Sequence, residues 1–85
     1  MNKVQIYSHP GCGYCHRAKY LLDEKGIQYE EINLAIQANR FPEMIERTGR
    51  KSLPQIIINS QPIGGFDDLS ALDTAGELDI LLNVA

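Results

Sequence analysis

Apolar and polar positions alternate through Val4, Gln5 and Ile6, which predicts a short strand over residues 3–7. Ser8-His9-Pro10-Gly11 interrupts the pattern, because proline and glycine both punctuate a loop. Tyr14, Cys15, Ala18, Leu21 and Leu22 then recur at helical spacing and mark one apolar face of a helix. Gly26 is placed to end that helix just beyond its cap, with Lys25 in the last turn. A second strand is expected from Ile27 to Leu34, although its alternation is poor. Phe41, Met44, Ile45 and Thr48 define a second helical face stopped by Gly49, with Pro42 tolerable only in the first turn. Leu53 to Ile58 reads as a buried strand, and Asn59-Ser60-Gln61-Pro62 as the turn that follows it. Ile63-Gly64-Gly65 would complete a hairpin as a short fourth strand. Asp67 or Asp68 then opens a helix carrying Leu69, Leu72 and Ala75, stopped by Gly76. Leu78, Leu81 and Leu82 suggest a final amphipathic turn.

The order β-α-β-α-β-β-α gives an α/β fold: a βαβ start, then an antiparallel hairpin, in a mixed four-stranded sheet flanked by helices. The chain has 85 residues and no repeat, linker or low-complexity stretch, so residues 1–85 are expected to form one domain. Leu, Ile, Val and Phe supply 23 of them, above the level of disordered chains. Eight basic residues against eleven acidic ones leave a net charge of −3, which argues against nucleic acid as a partner. No apolar run approaches the roughly 18 residues of a membrane span. Met1 to Tyr7 lacks the apolar stretch of an export signal and reads directly as a strand. The expectation is a soluble, cytoplasmic chain with no membrane partner.

Cys12 and Cys15 are the two cysteines, three residues apart. A bridge between them closes too small a loop to stabilise the fold much, so a structural disulfide is the weaker reading. The pair falls where a loop hands over to a helix. Cys12 sits at the helix start, where unpaired N–H groups and the positive end of the dipole favour an anion. Arg17 and Lys19 add positive charge nearby. Cys15 lies one turn on, along the apolar stripe, where desolvation opposes ionisation. The two thiols are therefore inequivalent: Cys12 is placed to attack, and Cys15 to resolve. Other readings of the pair are half a zinc site, c-type haem attachment through Cys12-Gly13-Tyr14-Cys15-His16, and two inert buried cysteines. Zinc requires four ligands where only His9 and His16 could add nitrogen, and haem attachment goes with an export signal.

Four features in order extend the picture: Tyr7 and a loop leading to Cys12-Gly13-Tyr14-Cys15, the Ser52-Leu53-Pro54 turn, Gly64-Gly65, and Asp67-Asp68. Over its whole length the chain resembles a glutaredoxin of the small bacterial kind, with the thioredoxin-like fold. The resemblance implies a glutathione-dependent thiol–disulfide oxidoreductase acting on glutathionylated or disulfide-containing client proteins. It implies a cis Pro54, with the Leu53 backbone pairing with the cysteinyl part of glutathione. Asp67 would hold the γ-glutamyl end at a helix start. Tyr14 would pack beside the sulfur, Ser52, Gly65 and Phe66 would complete the site, and His9 or Arg40 would meet the glycine carboxylate. Taken singly, Pro54 could end a strand, Gly64-Gly65 could be an ordinary turn, Asp67-Asp68 a helix cap, and Tyr14 plain core. Arg40, Arg47, Arg50 and Lys51 also read as a solvated face, the last two close enough to the proline turn to affect its potential.

Two departures stand out. Gly13 replaces a proline common in bacterial relatives, which removes a φ restraint from the helix's first turn. Glutaredoxins with a small residue there include members holding a [2Fe–2S] cluster between two monomers through the first cysteine and glutathione, so Cys12 is also a possible cluster ligand. His9 stands where lysine is usual, which weakens the positive charge available to glutathione near neutral pH. The chain is expected to be a monomer, and a dimer only with a cluster bound. The reduction potential implied is about −200 to −230 mV, the range general to glutaredoxins.

Overall fold

A computed structural model describes residues 3–82. The first two residues of the expected N-terminal strand lead-in, Met1 and Asn2, lie outside the described residues, as does the C-terminal end beyond Leu82. Strand β1 (Val4–Ser8) is buried along its whole length and runs through the middle of a four-stranded sheet ordered β2-β1-β3-β4. Its parallel neighbour is β2 (Glu30–Asn33), with Tyr7 opposite Ile32. Its antiparallel neighbour is β3 (Gln55–Ile58), with Ile6 opposite Ile56. Strand β4 (Gln61–Gly64) closes the edge against β3. The mixed sheet is the one expected.

Side-chain alternation divides the core into two halves. Val4 and Ile6 of β1 and Ile56 and Ile58 of β3 face α1 (Gly13–Glu24), α3 (Phe66–Thr74) and α4 (Glu77–Leu82), meeting Ala18, Leu22, Leu69, Leu78 and Leu82. Tyr7, Ile32 and Ile57 face the other way and pack with Leu34 and with Met44 of α2 (Phe41–Thr48). Each of these aliphatic side chains, buried to within a few per cent, stabilises the fold by about 1.5–3 kcal/mol.

The departures from the expected boundaries have local causes. β2 begins at Glu30 because Ile27 belongs to the end of α1. Gly26 takes a φ of +68°, its N–H bonds the Asp23 carbonyl at 2.9 Å, and the Ile27 N–H bonds the Leu22 carbonyl at 3.0 Å. That pair of bonds is a Schellman ending. On α1 itself Cys15, Ala18 and Leu22 are buried as expected, but Tyr14 stands out at 56 % exposure. β3 begins at Gln55, after the Leu53–Pro54 peptide, which is cis. The hairpin turn is only Asn59-Ser60, both at positive φ (51° and 69°), the geometry that matches strand twist in a two-residue hairpin. Gln61 and Pro62 are therefore in β4, an edge strand where proline is admitted. A short 3₁₀ turn (Ala38–Arg40) precedes α2, Pro42 falls in that helix's first turn, and Gly49 ends it at a φ of +72°. The final amphipathic turn is the helix α4.

Candidate functional site

The loop between β1 and α1 is tied to itself. The Cys12 N–H bonds the His9 carbonyl at 3.0 Å, the Gly11 N–H bonds His9 Nδ1 at 3.1 Å, and His16 Nε2 lies 3.1 Å from the Pro10 carbonyl. These contacts deliver Cys12 to the N-cap of α1 with extended backbone (φ −97°, ψ 110°). Its sulfur takes the place of a capping oxygen: the Cys15 backbone N–H donates to Cys12 Sγ at 3.1 Å. Cys12 is half-buried and Cys15 fully buried, and both are free thiols. Burial, helped by the neighbouring Cys12, pushes the Cys15 thiol up to about 12, with the Lys19 cation one turn along opposing it only weakly. The inequivalence inferred from helix position is present in the geometry.

Beside Tyr14 opens a cleft of about 260 Å³. Ser52, Leu53 and Pro54 line it from the loop before β3, Gly65, Phe66 and Asp67 from the start of α3, and Tyr14 from α1. Seven residues proposed from the sequence thus converge there. Tyr14 is not core: its ring stacks on Phe66 with centroids 6.0 Å apart and planes 30° apart. The helix cap differs from the expectation. Gly65 holds the N-cap of α3, and Asp68, three residues in, reaches back so that its Oδ2 accepts the Gly65 N–H at 3.0 Å. Asp67 is left in the first turn, on the cleft, at the positive end of the helix dipole.

His9 and Arg40 are not brought to the cleft. The His9 ring is engaged by its own loop. Arg40 forks onto Glu43 at 2.9 and 3.2 Å and also donates to Gln37, each three residues away from it along the chain. The cation that does line the cleft is Arg50, which donates to Asp68 Oδ2 at 3.0 Å. The Gly65 N–H and then the Arg50 guanidinium hold the Asp68 carboxyl below the usual carboxylate range.

One support was not singled out from the sequence. Gln55, fully buried, donates to the Ser52 carbonyl at 2.9 Å and to Ser52 Oγ at 3.2 Å, which fixes the loop that carries Leu53 and Pro54. Its Oε1 is a buried acceptor without a partner. The signal was a lone amide at the head of an otherwise apolar strand. Gly64, named with Gly65 from the sequence, sits at a φ of +118°, where a side chain would run into the Asp68 carboxylate.

A cleft beside a cysteine-bearing helix start, on a β-α-β-α-β-β-α sheet, can be compared with known proteins. A family model described as Glutaredoxin matches residues 4–63. Glutaredoxin 3 of Escherichia coli (strain K12) is 51 % identical over 82 residues, covering 96 % of this chain and 99 % of that protein. The solution structure of glutaredoxin from Brucella melitensis superposes with a TM-score of 0.81 at 50 % identity, covering 94 % of this chain and 87 % of that one. The crystal structure of a buckwheat glutaredoxin–glutathione complex superposes with a TM-score of 0.89 at 28 % identity, covering 99 % of this chain and 83 % of that one. The chain belongs to the glutaredoxin family of glutathione-dependent thiol–disulfide oxidoreductases, with the thioredoxin fold.

Proposed function

We propose that Cys12 is the nucleophile and Cys15 the resolving thiol, and that glutathione lies in the cleft between the Ser52–Pro54 loop and the start of α3. The observation that carries this is the contrast at the start of α1: a half-buried Cys12 sulfur taking a backbone N–H, three residues from a fully buried thiol held at about 12. At pH 7 a thiol with that value is ionised in only about one molecule in 10⁵, so the attacking role falls to Cys12.

Cys12 thiolate attacks the glutathione sulfur of a mixed disulfide. A Cys12–glutathione bond forms, the client's sulfur leaves with the electron pair, and it takes up a proton. A second glutathione thiolate then attacks the glutathione sulfur of the adduct, releasing Cys12 and oxidised glutathione. With a protein disulfide, Cys12 first forms a mixed disulfide with the client, and Cys15 displaces the client by closing the Cys12–Cys15 bond. Asp67 and the unpaired N–H groups at the start of α3 suit the γ-glutamyl amine and carboxylate of glutathione. Arg50 is the cation placed for the opposite charge. The buckwheat relative's structure as a glutathione complex supports glutathione as the ligand. The cycle runs reductively where glutathione is abundant and reduced, so we place the protein in the cytoplasm, as a monomer acting on glutathionylated or disulfide-bonded clients.

A [2Fe–2S] cluster needs four ligands, and among the described residues no three His, Cys, Asp or Glu side chains converge. One chain could offer Cys12 alone, and the rest would have to come from glutathione and a second chain. Nothing in the site favours that over disulfide chemistry.

The test is glutathione-driven reduction of a glutathionylated peptide. Cys12→Ser is expected to abolish turnover, and Cys15→Ser to keep it while losing reduction of protein disulfides. A Cys15→Ser variant dead toward glutathione mixed disulfides would overturn the assignment.

A further inference from the structure

Phe66 has a second side. Between α1 and α3 it borders a groove of about 490 Å³, closed by His16, Arg17, Tyr20, Leu21 and Ser70. A cleft of this size falls within the range that binds ligands. Tyr20 contributes an exposed aromatic ring to this groove, at 65 % exposure. Arg17 stands at its end, its guanidinium 5.4 Å from the Tyr14 ring centroid. Lys19, Lys25, Arg40 and Arg50 each face a carboxylate, whereas among the described residues Arg17 has none. Phe66 lines both the glutathione cleft and this groove, so the two adjoin. Ile36 and Ile80 are also exposed, and isolated aliphatic residues of that kind are ordinary.

We propose that the α1–α3 groove seats the polypeptide carrying the disulfide, taking an apolar side chain next to the client's reactive cysteine while an acidic client residue meets Arg17. The inference rests on glutathione occupying the neighbouring cleft. In the displacement three sulfurs align: Cys12, glutathione and client. Glutathione fills the cleft, so the client's chain must leave across the adjoining surface, and the groove that shares Phe66 is that surface. Tyrosine, phenylalanine and arginine are the residues that dominate recognition sites. A molecule of net charge −3 repels acidic partners in general, so one unpaired arginine beside the site selects the orientation of an acidic segment. Docking changes no bond and acts only on how the client is held.

The experiment compares three substrates with wild type and Tyr20→Ser. Two are short peptides with a central glutathionylated cysteine, one flanked by Phe and Glu, the other by Ala and Lys. The third is the mixed disulfide of cysteine and glutathione, too small to reach the groove. Wild type is expected to turn over the Phe/Glu peptide with a kcat/KM roughly tenfold higher, about what partial burial of one apolar side chain supplies. Part of that preference should fade as salt is added. Tyr20→Ser should lose most of it and leave the small disulfide untouched. Equal rates for the two peptides in wild type would overturn the proposal, as would a Tyr20→Ser variant equally slow on all three substrates. A wild-type dimer in sedimentation that Tyr20→Ser dissolves would overturn it in favour of a second copy in the groove. If wild type left the small disulfide unreduced, the glutathione reading would fail first and take the groove's role with it.

Discussion

Gly64→Ala is the substitution whose cost the structure specifies most fully. The residue ends β4 at a φ of +118°, outside the regions that side-chain-bearing residues occupy readily. Holding alanine there costs about 1–3 kcal/mol. A Cβ would also lie 2.7 Å from Asp68 Cγ, closer still to Oδ2, and 3.0 Å from an Arg50 nitrogen. The Asp68 carboxylate must then swing away, breaking its bonds to the Gly65 N–H and to Arg50. Since Asp68 is partly solvated, that loss is worth only about 0.5–1 kcal/mol. The sum is about 1.5–4 kcal/mol. In a domain of this length that lowers Tm by roughly 6–32 °C.

Urea unfolding followed by far-UV circular dichroism measures it, with the midpoint expected to fall at an unchanged slope. The two sources separate in a double-mutant cycle. Asp68→Ala removes the obstacle, so Gly64→Ala in that background should cost only the backbone part. The effects should fall short of additive by about 0.5–1 kcal/mol. Because Asp68 and Arg50 line the cleft, Gly64→Ala should also raise KM for glutathione more than it lowers kcat. A loss below about 0.5 kcal/mol would refute the strain argument, since surface changes without such a feature usually stay within that range. Strict additivity would refute the collision with Asp68.

Three further outcomes are expected. Gly13→Pro should be tolerated and stabilise the fold by about 0.4–1 kcal/mol in thermal unfolding, since nothing lies within 4 Å of an added Cβ and Cys12 already has the extended backbone that precedes proline. The Asp68 carboxyl is held below its unfolded range, so it adds stability above that range and loses it as pH falls through the lower folded value. Asp68→Asn should therefore flatten part of the acid limb of a stability–pH curve. Cys15 behaves oppositely: raised to about 12, its stabilisation is complete below the thiol's unfolded value near 8.5 and is lost as pH climbs toward the folded one. Between about pH 8.5 and 10 unfolding free energy should fall with a slope of at most ~1.4 kcal/mol per pH unit, and Cys15→Ala should remove that slope.

The order of elements, the mixed sheet with helices on its faces and the convergence of Ser52, Leu53, Pro54, Gly65, Phe66 and Asp67 were legible because each depends on local pattern or on motifs in fixed order. What was not legible depended on competition between groups distant in the chain. Arg40 reads as a free cation until Glu43 and Gln37 are found one turn away, claiming its guanidinium. Arg50 reads as a solvated charge until the hairpin brings Asp68 to it from 18 residues on. Tyr14 fits an apolar stripe by spacing, yet the stripe's edge faces a cleft that exists only because α3 starts beside it. The same contest decides the cap of α3. An aspartate is the better N-cap by propensity, but Gly64 and Gly65 let the backbone turn early, so the helix starts before the acids and uses Asp68 from inside. That early start leaves Asp67 free on the cleft at the helix's positive end, instead of spending its carboxylate on the cap. On the proposed reading the glycine pair therefore serves binding as well as the turn, because one aspartate caps the helix while the other stays on the cleft.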